Sequence, residues 1–181
     1  MNEKLIPNSL IKWAESPAEC NTKIDKLMRV YAEAVNCPRC FVYLRQPELK
    51  KANTTHAWWS DDRFAIGWES WYSYDWFDDG NAAVEDPMYG EAMVSPEPLY
   101  INDVEADTTG LVNAEFERKI FKHSALIHAP IYHAGKLYGI LEPSAFDKPR
   151  VWSEADRAIT SWTLARLGPI VAEYVAKYGP K

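Results

Sequence analysis

Cysteine is scarce in this chain, basic charge is in deficit, and no apolar stretch is long. The three cysteines are Cys20, Cys37 and Cys40. An odd count does not fit a disulfide framework, and residues 1–7, Met-Asn-Glu-Lys-Leu-Ile-Pro, lack the apolar centre and small-residue cleavage site of a signal peptide. Reduced thiols and a cytoplasmic protein are therefore expected. No run approaches the roughly 18 apolar residues that a membrane span needs, so no membrane partner is expected. A formal net charge of −6 argues against nucleic acid, whose backbone calls for a basic surface. Phosphate-cradling glycine loops, nucleophile-serine signatures and His-Glu-x-x-His sites are missing too. The paired carboxylates Asp61/Asp62 and Asp78/Asp79 are adjacent loop residues and read as solvated. With no catalytic constellation in view, the chain reads as a non-enzyme. Repeats, low-complexity tracts and Gly/Ser linkers are also lacking, so 181 residues form one domain, with 1–15 as an N-terminal extension and 16–178 as its body. Met1 and the closing Gly179-Pro180-Lys181 read as natural termini.

What the chain has in quantity is aromatic rings, with eight Trp and ten Tyr. Many crowd between His56 and Trp76: Trp58, Trp59, Trp68, Trp71, Tyr72, Tyr74 and Trp76, with Phe77 beyond. Adjacent Trp58 and Trp59 point to opposite faces of a strand, so both cannot enter one core. Along a regular strand from Phe64 to Tyr72, Trp68 and Trp71 share a face only if the strand bulges or ends between them. These rings either pack beneath a loop and the terminal helix or form a binding surface. With Asp61, Asp62, Asp75, Asp78 and Asp79 nearby, such a surface suits a protein or a flat, cationic ligand.

The periodicity gives a coarse map. Ser16-Pro17-Ala18-Glu19 reads as a capping box with Pro at the first helical position. Ile24, Leu27, Met28, Tyr31 and Val35 follow at helical spacing, and Pro7 limits any earlier helix. Cys40–Arg45, Thr54–Ser60 and Phe64–Tyr72 read as strands. Asp86-Pro87 opens a short helix to about Val94, Leu99–Ile101 is a strand, and Asn113 caps a helix to Phe121. The strands 124–132 and 137–146 flank a short Gly-containing turn and form a hairpin. Ser153 with Asp156 starts the last helix, which Gly168-Pro169 is expected to kink or split.

The blocks Asp86–Met93, Glu97–Asp103, Ala125–Phe146 and Arg150–Asp156, together with Arg39–Arg45, resemble the GAF domain. Among GAF domains they look most like those of cyanobacterial sensor proteins related to phytochromes. The resemblance runs from about Cys37 to Val175. It implies an α/β (α+β) fold: a central antiparallel sheet of five or six strands, terminal helices on one face, and loops and short helices enclosing a pocket on the other. It also implies sensing or regulation through a small ligand, a protein contact, or both. From fold order, the implied ligand-binding residues are Trp68, Trp71, Tyr74, Trp76, Phe116, Ile120, His128 and Tyr138. Pairing through terminal helices would use Ile24, Leu27, Tyr31, Trp162, Ile170 and Tyr174, giving a homodimer.

The resemblance also brings in the other chemistries of the family. Aligned back from Ser124–Ile127, Val112 falls near the position of a chromophore-attaching Cys and Asn113 near its companion His. No cysteine follows Cys40, so a covalent bilin is not expected and the cofactor is unknown. A non-covalent tetrapyrrole on the aromatic wall and His128 is the alternative. A thiol-dependent reductase is weaker, because it needs reactive thiols in the pocket loops. Cys37-Pro-Arg-Cys40 reads more simply as a buried core residue and a helix-end thiol than as half a zinc site. His123, His128 and His133 recur every five residues. His123 closes a helix as a cation suited to the dipole, while His128 and His133 have opposite strand parity. His128 alone either faces the pocket or is a satisfied core histidine, and no metal site is expected.

Overall fold

A computed structural model describes residues 3–67, 72–73 and 85–181. Its centre is a six-stranded sheet, antiparallel at every pairing, in the spatial order β3-β2-β1-β6-β5-β4. The strands are β1 (Arg39–Gln46), β2 (Lys51–Trp59), β3 (Tyr72–Ser73), β4 (Leu99–Ile101), β5 (Ala125–His133) and β6 (Lys136–Ala145). The helices are α1 (Asn8–Glu15), α2 (Cys20–Ala34), α3 (Pro87–Ala92), α4 (Ala114–Ile120) and α5 (Glu154–Tyr178). Among the described residues no helix is long and apolar enough to cross a membrane.

Strand alternation divides the sheet into two unlike faces. Cys40, Val42 and Leu44 of β1, Leu141 and Ala145 of β6, and Ala125, Ile127, Ala129 and Ile131 of β5 face α1, α2 and α5 and form the main core. The segment expected to be an N-terminal extension is part of that core: Leu10 and Trp13 of α1 are buried in it. Pro7 does not prevent α1 but precedes it, its carbonyl accepting from the amides of Leu10 and Ile11. The expected capping box at Ser16 is not formed. Ser16 ends α1, and α2 is capped by Glu19, whose carboxylate accepts from the Asn21 amide.

Elsewhere the expected caps hold: Asp86, Asn113 and Ser153 each accept a backbone amide three residues on. At Ser153 the Asp156 side chain reciprocates. α5 is not split at Pro169 but runs as one helix of 25 residues. Buried Trp162, Leu167, Val171 and Val175 hold both halves against the core, and tertiary packing outweighs one missing amide donor. Gly168 lets the helix approach the hairpin, since a Cβ there would overlap the Tyr132 carbonyl. Of the strand expected over Phe64–Tyr72, buried Phe64 ends a 3-10 turn, Asp62–Phe64, residues 68–71 lie outside the described residues, and Tyr72 opens β3. Of the expected dimer surface, Ile24, Leu27, Tyr31 and Trp162 are buried inside the chain's own core and cannot meet a second copy. Ile170 and Tyr174 are half-buried.

Candidate functional site

The other sheet face carries charge where the first carries aliphatics. Arg39 pairs with Ser144 and Phe41 with Glu142 across β1 and β6. On the far side of β6, the register that pairs Leu126 with Ser144 and Ala129 with Leu141 sets His128 opposite Glu142. That register depends on a bulge. Tyr132 pairs with Leu137 but Ile131 with Gly139, leaving Tyr138 as an extra residue in β6. Gly139, at φ +145, takes a conformation that side chains resist, and a Cβ there would also strike the Tyr43 carbonyl.

Arg39, Glu117, His123, His128, Glu142 and Ser144 are all buried, and they form one network. His128 Nδ1 lies 3.3 Å from Glu142 Oε2, and His123 Nε2 lies 2.7 Å from Glu117 Oε2. Arg39 Nη2 donates to the Phe121 carbonyl at 3.1 Å, to Ser144 Oγ at 3.2 Å and to His123 Nδ1 at 3.4 Å. A guanidinium can only donate, so His123 Nδ1 is the acceptor and Nε2–H donates to Glu117.

The protonation states follow from burial. It pushes the Glu117 carboxyl up to about 9, helped by the charges of Glu142 and Asp86. It pushes His123 down to about 4, with Arg39 contributing. The pair is thus a neutral acid and a neutral imidazole rather than an ion pair, and His123 is not the cationic helix end expected. Burial alone would lower His128; the Glu142 hydrogen bond and the charge of Asp86 outweigh it and raise its pKa. Burial also raises Asp86.

Two members of this network, His128 and Glu142, line a cavity of about 410 Å³, within the roughly 300–1,000 Å³ usual for small-molecule sites. Phe41, Tyr43 and Thr54 form one side and Ile140, Glu142 and His128 the floor. Asp86 and Tyr89 enter from α3 and its cap, Phe116, Lys119 and Ile120 from α4 with Phe121 after it, and Ile66 and Gly67 from the segment after the 3-10 turn. The rings interlock: Phe41 stacks on Phe121 with centroids 5.7 Å apart, and Tyr43 meets Tyr89 edge-on at 5.9 Å.

Of the expected ligand residues, the structure brings together Phe116, Ile120 and His128. Tyr138 belongs to the opposite face, packed against the main core and 6.3 Å from the His133 ring, because the bulge turns it away. Trp68, Trp71, Tyr74 and Trp76 lie outside the described residues. Trp58 and Trp59 do part to opposite sides. Trp58 packs on the main core, and the Trp59 indole donates to Asp62.

Sequence reasoning missed Glu142, Asp86, Tyr43, Tyr89 and Phe121. Glu142 had a signal, an acid inside an otherwise apolar strand, which rarely occurs unless it is paired. The three thiols lie away from the cavity wall and are buried and free. Burial pushes Cys37 up to about 12 and Cys20 up to about 11, and raises Cys40. Among the described residues no group of three or more His, Cys, Asp and Glu side chains is placed to hold a metal ion.

An antiparallel sheet with terminal helices behind it and a cavity under short helices in front defines an α/β fold with one face open to a ligand-sized cavity. The model of the GAF domain family matches residues 21–167, and the chain belongs to that family, a family of sensory and regulatory domains. Structural comparison agrees on the fold. The phycoerythrobilin-bound GAF domain of a cyanobacterial phytochrome aligns with TM-score 0.69 at 14% identity, covering 97% of each chain. The GAF domain of a Coxiella burnetii phosphoenolpyruvate-protein phosphotransferase gives 0.68 at 14%, covering 96% of this chain and 94% of that one. Free methionine-R-sulfoxide reductase from Neisseria meningitidis, solved with its substrate, gives 0.64 at 12%, covering 94% and 88%. Comparison with curated protein sequences gives no significant match.

Proposed function

We propose that the chain is a non-catalytic regulatory domain that binds a small molecule in the cavity over His128 and Glu142. One observation carries the reading. His128 Nε2 and Glu142 Oε1, buried in the cavity wall, have no hydrogen-bond partner. Such groups each cost about 1–3 kcal/mol when left unpaired, and a bound ligand would supply their partners.

A reductase reading gains nothing from the thiols, which are buried with raised pKa values and do not line the cavity. A tetrapyrrole carrier would draw on His128, which lines the cavity, and on the aromatic wall, of which Trp68, Trp71, Tyr74 and Trp76 lie outside the described residues. The test is native mass spectrometry and visible absorbance of protein purified from its own source cells, followed by a small-molecule thermal-shift screen. The wild type is compared with Ile140→Trp, which fills the cavity. Added mass, or binders lost in Ile140→Trp, supports the reading. An unloaded protein whose binders are indifferent to Ile140→Trp overturns it, and a visible band turns it towards a chromophore carrier.

A further inference from the structure

The cavity does not account for every buried charge. Arg45, near the end of β1, is 9% exposed. Strand alternation puts it on the same sheet face as Phe41 and Tyr43, and its cross-strand neighbour in β2 is Ala52, which brings no charge. Among the described residues Arg45 has no hydrogen-bond or ion-pair partner. A buried arginine is rare without one. The usual escape is to bury the stem and keep the guanidinium in water, but 9% for the whole residue leaves most of the head out of water as well. The head can still be reached: unlike Arg39 Nε, no Arg45 nitrogen is both sealed from solvent and unpaired.

Arg45 lines a second cleft, of about 270 Å³, beside the β5–β6 turn, and this cleft shares no lining residue with the first. Pro47, Met93 and Leu137 give it an apolar side. Its other polar groups are engaged. Tyr132 donates its hydroxyl to the Ala92 carbonyl at 2.9 Å, and Lys136 is joined to Glu48 in an exposed ion pair. The Glu48 carboxyl, held below its usual range chiefly by the Lys136 hydrogen bond, also feels the Arg45 charge, yet it makes no ion pair with Arg45. Arg45 and Lys136 against Glu48 leave one positive charge in excess in the lining.

We infer that this cleft binds a small organic monocarboxylate, its oxygens on the Arg45 guanidinium and its apolar body against Pro47, Met93 and Leu137. A guanidinium presents paired N–H groups that match a planar carboxylate, and a single negative charge balances the excess. A phosphate dianion would set its second charge against Glu48. The volume lies just below the roughly 300–1,000 Å³ of sites for drug-sized molecules, so the cleft suits a small acid and not a nucleotide. The inference is independent of the ligand proposed for the cavity over His128.

The test is calorimetric titration of the full chain with benzoate, its neutral isostere benzamide, phenylphosphonate, and glutamate blocked by acetylation and amidation at its two ends. Benzoate is expected to bind, and benzamide at least about tenfold more weakly, since a hydrogen bond to a charged group is worth about tenfold or better. Arg45→Met keeps the bulk of the stem and should lose that preference without lowering Tm, because it removes a buried charge that nothing pairs. Glu48→Gln should tighten benzoate binding. Equal binding of benzoate and benzamide, benzoate binding indifferent to Arg45→Met, or no binding by any probe overturns the inference. Tightest binding by phenylphosphonate overturns it in favour of a phosphate group. Binding by blocked glutamate but not by benzoate overturns the small-molecule source in favour of a protein side chain. If Arg45→Met fails to fold, the wild-type probe series and Glu48→Gln decide the matter.

Discussion

Replacing Glu117 by Gln should leave the protein at least as stable at neutral pH, although it removes one partner of a buried 2.7 Å contact to His123. As an ion pair the contact would lose about 3–5 kcal/mol with either partner. The structure gives the opposite sign, because the carboxyl is held neutral by burial, its pKa pushed from 4.5 up to about 9. A group whose folded pKa lies above its unfolded one binds its proton more tightly when folded. Stability is therefore fully present below the unfolded value and falls as pH rises towards the folded one. The slope is about 1.4 kcal/mol per pH unit. By about pH 7 the loss is on the order of 3 kcal/mol. Gln escapes that loss. Its amide oxygen still accepts from His123 Nε2–H, and its NH₂ takes the place of Oε1, which has no partner in the wild type. Urea denaturation from about pH 5 to about pH 8 checks this. The variant's midpoint should match or exceed the wild type's at the upper end, with a flatter pH dependence. A loss of several kcal/mol with unchanged slope would refute the neutral-pair account and restore the ion pair.

Three further outcomes follow from packing, capping and burial. Gly168→Ala improves helix propensity by about 1 kcal/mol, yet its Cβ would overlap the Tyr132 carbonyl. Overpacking of about 1–3 kcal/mol should win, lowering Tm by about 2–4 °C per net kcal/mol lost, and a raised Tm in a thermal melt would contradict the close approach. Ser153→Ala should cost about 1 kcal/mol by removing the reciprocal cap with Asp156, and calorimetry showing no change would mean the cap is redundant with Arg150, which also holds Asp156. Iodoacetamide at neutral pH should modify Cys20, Cys37 and Cys40 only as fast as the chain unfolds, since all three are buried with raised pKa values. Fast labelling of the folded protein would show an accessible thiolate.

Much of the fold was legible in local chemistry. Asp86-Pro87, Asn113 and Ser153 marked helix starts through side-chain oxygens that act within one turn of the chain. The hairpin of β5 and β6 announced itself by two β-rich runs around Gly135. The N-terminus was misread for the same reason: Ser16, Pro17 and Glu19 satisfy a capping pattern, but burial of Leu10 and Trp13 makes residues 8–15 helical and moves the start of α2 to Cys20. Pro169 likewise forecast a broken helix, and the core contacts of Leu167 and Val171 on either side kept α5 whole.

The site was legible only in part. The sequence by itself marked most strands and the caps at Asp86, Asn113 and Ser153 through short-range pattern, and the family resemblance pointed to Phe116, Ile120 and His128, which line the cavity. What the tertiary structure decided is the partner of His128. Counted outward from His133 and Lys136, an unbroken hairpin would set His128 opposite Leu141. The bulge at Tyr138, permitted by the positive φ of Gly139, advances the register by one residue. Because side chains alternate, that one step brings Glu142 beside His128 on the cavity face and sends Tyr138 to the other.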